Sequence, residues 1–321
     1  MERREKKTGF TIVELLTVMG IIAILIGLLV PALTLVQDFA KEIQQIAQFH
    51  SIEVGVSMIH DPISGLGMYP PSNENSFATA ASPPLEIDSA YGGAQKLGEA
   101  MVGLDMLGYH PKSGFRADGL NVRDDGFGEP EQFLVYNAIT GIPGNPTNPE
   151  ETALENVQNR KNYMELENAN AFTLDSVYDT AELSGSGFSP DYNGLYSIVL
   201  CDVYAQKRLQ SSKKTGMPIL YYRARAGFAR QQWDDGLGIA DDVYNFQDNQ
   251  RLLFLGSATS DVIEHPLADG TDDLLEFENM ILNPEIAMIN KPYRAESYIL
   301  VSAGKDGLYG TADDICNFKK N

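Results

Sequence analysis

The chain has 321 residues, and 24 Lys and Arg stand against 44 Asp and Glu, for a formal net charge of -20. That balance argues against nucleic acid as a partner, because phosphate contact needs clustered basic side chains. Four His and two Cys leave little for a soft-ligand zinc site and exclude a disulfide-dense scaffold, whereas oxygen ligands for a hard cation such as calcium are plentiful.

The charge is unevenly placed. Met1–Gly9, MERREKKTG, carries four basic and two acidic residues, and Phe10–Val36 then holds a single charge, Glu14. The apolar core Leu15–Val30 with its extension is near the length that crosses a bilayer as a helix. The basic flank places the N-terminus in the cytoplasm and the rest outside, as a single-pass protein. A secretory signal and a plain anchor are two readings of this run, although PALTLVQDFAKE offers no clear small-x-small cleavage site. Neither reading explains why Gly9 ends a Lys-rich leader, Phe10 opens the apolar run and Glu14 follows four residues later.

That combination, KKTGFTIVELLTVMGIIAILIGLLVPAL, resembles the leader of type IV pilins and type II secretion pseudopilins. The resemblance implies a prepilin peptidase as partner, cleavage between Gly9 and Phe10, and methylation of the new amine on Phe10. It makes Glu14 the fifth mature residue and Pro31 the twenty-second, where such pilins commonly carry a proline. It also implies other pilin or pseudopilin subunits as partners and a place in the bacterial inner membrane before assembly into a filament. A carboxylate in the apolar zone costs about 2.5–3.5 kcal/mol on insertion scales. The amine of Phe10 on a neighbouring subunit would offset that cost, and a headgroup or a proton is the alternative. Pro31 removes one backbone donor and crowds the carbonyl of Gly27, so a kink or local melting is expected. An equally simple reading is that Pro31 ends the membrane span.

Beyond Pro31, Val36, Phe39, Ile43, Ile46, Phe49, Ile52, Val56 and Ile59 recur at helical steps, with Lys41, Glu42, Gln44, Gln45, Gln48 and Glu53 on the other face. Asp61–Pro62 stops this helix, which from Phe10 would be about 75 Å long. The chain therefore divides into a leader (1–9), an assembly helix (10–60) and an extracytoplasmic domain (61–321). In that domain 61–84 reads as a connector, Ala94–Leu107 as a helix with Leu97, Met101, Leu104 and Leu107 on one side, and 141–150 as a loop. Strands are expected near Phe133–Ala138, Leu195–Val203, Ile219–Ala224, Leu252–Leu255 and Ser297–Ser302. The fold class is α+β, a long helix whose first half spans the membrane, packed on a mainly antiparallel sheet domain with long loops.

One pattern recurs: Asp-Gly followed by an acidic pair. It occurs as Asp118-Gly119 with Asp124-Asp125, as Asp235-Gly236 with Asp241-Asp242, as Asp269-Gly270 with Asp272-Asp273 and as Asp306-Gly307 with Asp313-Asp314. Solvated turns explain the first three, and none has EF-hand spacing. The last, within 303–316, follows an apolar strand and resembles the calcium-binding C-terminal loop of major type II pseudopilins. GMPILYYRA upstream resembles the same family. The resemblance makes Asp306, Asp313 and Asp314 side-chain ligands of Ca2+, with the carbonyls of Ala303 and Leu308. The Asp spacing departs from the family's, leaving open which of Asp313 and Asp314 ligates, and a solvated turn stays as the alternative. Cys201 and Cys316 fit either a disulfide or buried thiols.

A structural filament subunit, not an enzyme, is the expected function. A membrane-anchored extracytoplasmic enzyme with paired carboxylates and a ligand-binding or adhesive tip subunit are the alternatives. No His or Ser lies in a recognisable catalytic motif. The size of the domain favours a minor subunit, and the calcium-like loop favours a major one.

Overall fold

The computed structural model describes residues 11–63, 65–73, 91–117, 119–123, 131–136, 157–188, 196–204, 207–208, 214–228, 230–231, 242–255, 265–268 and 273–319. It forms two compact units, Met1–Gln44 and Gln45–Asn321.

The first helix, α1 (Ile12–His60), carries the first unit and continues into the second. It is long and apolar enough to cross a membrane, with a mean hydropathy of 2.7 in its most apolar window. It stays helical through Pro31, so the expected local melting does not occur. One lost hydrogen bond is a small defect between intact turns, and the Thr34 hydroxyl donates to the Pro31 carbonyl at 2.8 Å. The helix stops at His60, before Asp61–Pro62, as its sequence requires.

The elements that follow are α2 (Gly93–Val102), β1 (Leu120–Arg123), β2 (Glu131–Leu134), α3 (Leu166–Ala169), β3 (Ala171–Thr173), α4 (Leu174–Val177), α5 (Thr180–Gly185) and β4 (Ile198–Leu200). Then come β5 (Lys207–Arg208), β6 (Lys214–Thr215), β7 (Leu220–Arg223), α6 (Gln247–Leu253), α7 (Asp273–Ile281), β8 (Tyr298–Ser302) and β9 (Ile315–Cys316). Every strand pair among the described residues is antiparallel. The fold is α+β.

The central sheet runs β7-β8-β9, with Tyr221 opposite Leu300 and Val301 opposite Cys316. Strand alternation sends Tyr221, Tyr298, Leu300 and Ile315 to one face, where Phe49, Ile52, Val56 and Ile59 of α1 join them. Leu220, Tyr222, Ile299, Val301 and Cys316 take the other face, with Phe277 and Ile281 of α7.

Only the later part of the predicted α1 stripe is core. Phe39, Ile43 and Ile46 are exposed, while Gln45 and Gln48, placed by periodicity on the polar face, are buried. The Gln48 amide donates to the carbonyl of Cys201 at 2.9 Å and of Ala169 at 3.3 Å, and Gln45 Oε1 accepts from the Val203 amide at 2.9 Å. The buried apolar residues supply about 1.5–3 kcal/mol each. The amides net only about 1 kcal/mol each, so they fix register more than they add stability.

Two predicted elements differ. The Ala94–Leu107 helix ends at Val102, because Gly103 has a φ of 77°, and Leu107 is exposed. Leu252–Leu255 is not a strand; Leu252 and Leu253 lie on α6, whose first amide, Gln247 N–H, donates to Asn245 Oδ1 at 3.0 Å in a turn that leads into the helix. A four-residue apolar run does not separate a strand from a buried helical turn. The strand expected over Leu195–Val203 narrows to β4, with Cys201 in an isolated bridge to Pro218.

The Gly-x-Pro turn before β7 lies against Asp202. A Cβ on Gly216 would sit 1.8 Å from Asp202 Oδ1 and 2.4 Å from its carbonyl oxygen. Asp202 is buried; its Oδ1 accepts from the Tyr204 amide at 3.0 Å and its Oδ2 from the Ser302 hydroxyl at 3.1 Å. Gly216→Ala is expected to displace that carboxylate and destabilise the domain by roughly 1–3 kcal/mol. A lower urea midpoint of the full chain in detergent checks this, and an unchanged midpoint would show that the turn yields freely.

Candidate functional site

Two regions carry the residues singled out by sequence. At the N-terminus, Gly9 and Phe10 lie outside the described residues. Thr11 and Glu14 open α1 as a reciprocal cap: the Glu14 amide donates to Thr11 Oγ1 at 3.3 Å, and Glu14 Oε2 accepts from the Thr11 amide at 2.9 Å and its hydroxyl at 2.8 Å. The spacing Thr11-x-x-Glu14 is that of a capping box, which the sequence reading passed over. Glu14 therefore has a partner within its own helix. The side chains that follow, Leu15 to Leu35, are exposed, as a helix made to be covered by lipid or by other helices would be.

At the other end, the loop between β8 and β9 is built around Asp313. Its Oδ2 accepts from the amides of Lys305 at 2.7 Å and Asp306 at 3.0 Å, and its Oδ1 from the Thr311 hydroxyl at 2.6 Å. Gly304 makes this wrap feasible, with a φ of +64° and a Cβ position 2.3 Å from the Asp313 carbonyl oxygen. Asp306 Oδ1 accepts from the Leu308 amide at 2.8 Å. The Asp306 and Asp313 carboxyl groups are in hydrogen-bonding reach of each other. Burial, and then the neighbouring Asp313, pushes the Asp306 carboxyl up, against the Leu308 amide and the Thr311 hydroxyl. Burial also opposes charge on Asp313, but the bonds from Thr311, Asp306 and Lys305 outweigh it and hold its carboxyl below the usual range.

Asp314 points elsewhere. Its Oδ2 accepts from the Gly310 amide at 2.8 Å, and burial first pushes its carboxyl up to about 7. The loop thus brings Asp306 and Asp313 into hydrogen-bonding reach, while Asp314 is turned to the Gly310 amide and still senses the charge of both. Among the described residues no group of three His, Cys, Asp or Glu side chains converges as a metal-holding set. As a donor set for calcium, the loop offers a hard-oxygen pair that needs main-chain carbonyls and water to complete it. Ala303 is buried at the end of β8, and the Leu308 carbonyl is approached by the Thr311 hydroxyl at 3.4 Å.

Residues 4–30 match the prokaryotic N-terminal methylation motif. The chain carries a prepilin-type processing and methylation signal, and with its long apolar helix it is pilin-like. The motif implies processing by a prepilin peptidase, and it fits a membrane-anchored pilin. No curated protein and no solved structure matches the chain.

Of the other acidic pairs, Asp118, Asp124, Asp125, Asp235, Asp241, Asp269 and Asp272 lie outside the described residues. Cys201 and Cys316 are both buried thiols that form no disulfide, and burial pushes the Cys316 thiol up to about 12, so it is protonated. Sequence reasoning also missed Glu99, a fully buried carboxyl on α2 that accepts from the hydroxyls of Tyr91 and Ser113, and from Tyr136 at 2.8 Å. Burial raises its pKa, against those hydroxyls and Lys96. Its only sequence signal is a carboxylate on a helix whose spacing is otherwise core.

Proposed function

We propose that the chain is a structural subunit of a type II secretion pseudopilus or type IV pilus-like filament. It is cut after Gly9, methylated on Phe10 and assembled through α1, with its acidic domain outside the membrane. The observation that carries this reading is the methylation motif over residues 4–30, read together with an apolar helix whose side chains are exposed from Ile12 to Val30. The role is non-catalytic: Asp306 and Asp313, the carboxyl pair the described loop assembles, are bound by the loop's own amides and hydroxyl. Mass spectrometry of the mature protein tests the reading. The expected N-terminal peptide begins at a methylated Phe10; an intact Met1 leader, or cleavage elsewhere, overturns it.

In the same reading the β8–β9 loop holds calcium. Asp306 and Asp313 supply the charge, and the carbonyls of Ala303 and Leu308 complete the shell. A bound divalent cation relieves the repulsion between two adjacent carboxylates. Binding only to the folded state adds RT ln(1 + [L]/Kd), about 2.7 kcal/mol at a hundredfold excess over Kd. The full chain in detergent is expected to melt higher in calcium than in chelator, with magnesium a poor substitute. Asp306→Asn should shrink that shift while leaving the melting point in chelator near wild type. A shift of wild-type size in Asp306→Asn returns the loop to a solvated turn.

A further inference from the structure

Asn317 touches both the central sheet and α1. Its amide donates to the Leu300 carbonyl at 3.3 Å, and its Oδ1 accepts from the Leu300 amide at 2.9 Å, so it lengthens the two-residue β9 by one position. Its Nδ2 donates to Glu53 Oε1 at 3.1 Å. The same Glu53 oxygen takes the Arg294 guanidinium at 2.7 Å.

The two donors to Glu53 are held differently. Arg294 stands shortly before β8 with a φ of 49°, a left-handed conformation that a non-glycine residue keeps only where its surroundings impose it. Here they do: the Tyr244 hydroxyl donates to the carbonyls of Tyr293 at 3.1 Å and Arg294 at 2.6 Å, and the Ser297 amide donates to the Arg294 carbonyl at 2.9 Å. Asn317 is instead placed by β9, which pairs with β8 at only two positions and is shorter than an ordinary strand. Ile315 and Cys316 are buried, on opposite faces of the sheet. The backbone of β9 is positioned at one end by the loop closing on Asp313 and at the other by Asn317. Four residues separate Asp313 from Asn317, so the closure of the loop reaches α1 through a short, nearly extended segment.

We infer that Asn317 is a latch between the β8–β9 loop and α1: closure of the loop on Asp313 sets how firmly α1 is held at Glu53. Arg294 supplies a fixed anchor on the same oxygen, and Asn317 supplies the part of the hold that depends on the loop. Asn317 and Glu53 are positioning residues in this device. The loop is thereby linked to the helix that leads out of the domain, whether or not it takes a cation.

Amide hydrogen exchange tests this on full-length protein in detergent, with chelator present throughout so that the outcome does not depend on calcium. The readout is the exchange of Phe49–Ile59 relative to that of α2, which separates loosening of α1 from a general loss of stability. Asp313→Ala removes the acceptor on which the loop closes, and is expected to speed exchange in Phe49–Ile59 by about fivefold or more. Asn317→Ala is expected to give a similar rise by itself. Adding Asp313→Ala to Asn317→Ala should then change Phe49–Ile59 no further, because the connection is already cut. If Asp313→Ala fails to fold by circular dichroism, Thr311→Val, which removes the hydroxyl bound to Asp313 Oδ1 at 2.6 Å, takes its place. Exchange in Phe49–Ile59 that stays at the wild-type ratio when the loop is loosened overturns the inference. A rise of equal size in the Asn317→Ala background overturns it too, because the loop would then act on α1 by another route.

Discussion

Gly9→Val is expected to leave the chain as an unprocessed precursor in the inner membrane. The peptidase must fit the backbone on either side of the scissile bond, and a branched side chain at Gly9 obstructs that approach. The effect should be close to all-or-none, with the leader retained, Phe10 unmethylated and no chain in the filament fraction. Immunoblotting of membrane and sheared fractions reads the outcome directly. Normal removal of the leader from Gly9→Val would overturn the assignment of the motif at residues 4–30.

The second large effect concerns Glu14, and it separates two roles. Glu14 caps its own helix through Thr11, and an assembled neighbour would use its charge. Glu14→Leu loses both roles yet inserts into the membrane more readily, because removing the carboxylate recovers about 2.5–3.5 kcal/mol. It should accumulate in the membrane and be nearly absent from filaments when it is the only copy. Glu14→Gln retains the cap, since Gln serves at that position of a capping box. It should nevertheless assemble as poorly as Glu14→Leu if charge pairing sets the register between helices. Wild-type assembly by Glu14→Gln would reduce Glu14 to a helix cap.

Much of this molecule was legible from residue order alone. Helix α1 and its stop at His60 follow from a continuous apolar run, a helical period and Asp61–Pro62. Strands β7 and β8 follow from short apolar runs between turn residues. The misreadings share a cause, which is that periodicity measures polarity and not environment. Gln45 and Gln48 are polar but buried, because their long amides bond the carbonyls of Cys201 and Ala169 and the Val203 amide. Leu252 and Leu253 were apolar enough for a strand, and only the Asn245 turn before Gln247 marks a helix start there. In the C-terminal loop the residue types were visible, but not the division between Asp313 and Asp314. Adjacent side chains diverge, and which one turns inward depends on the wrap that Gly304 permits.

If the chain is the filament subunit proposed above, the glutamine contacts on α1 bear on how it responds to tension. A pull along α1 toward its N-terminus enters the domain at Gln45, then Gln48, before it reaches Phe49 and Ile52. The bonds to Cys201, Val203 and Ala169 are fixed to backbone atoms just after β4 and at the end of α3, so displacement along the helix axis shears them together. The apolar contacts behind them are non-directional and tolerate sliding, whereas hydrogen bonds lose strength steeply with misalignment. The first rise in resistance to stretching is therefore set by two neutral side chains at the mouth of the domain, and the depth of the hydrophobic face governs only what happens after they part.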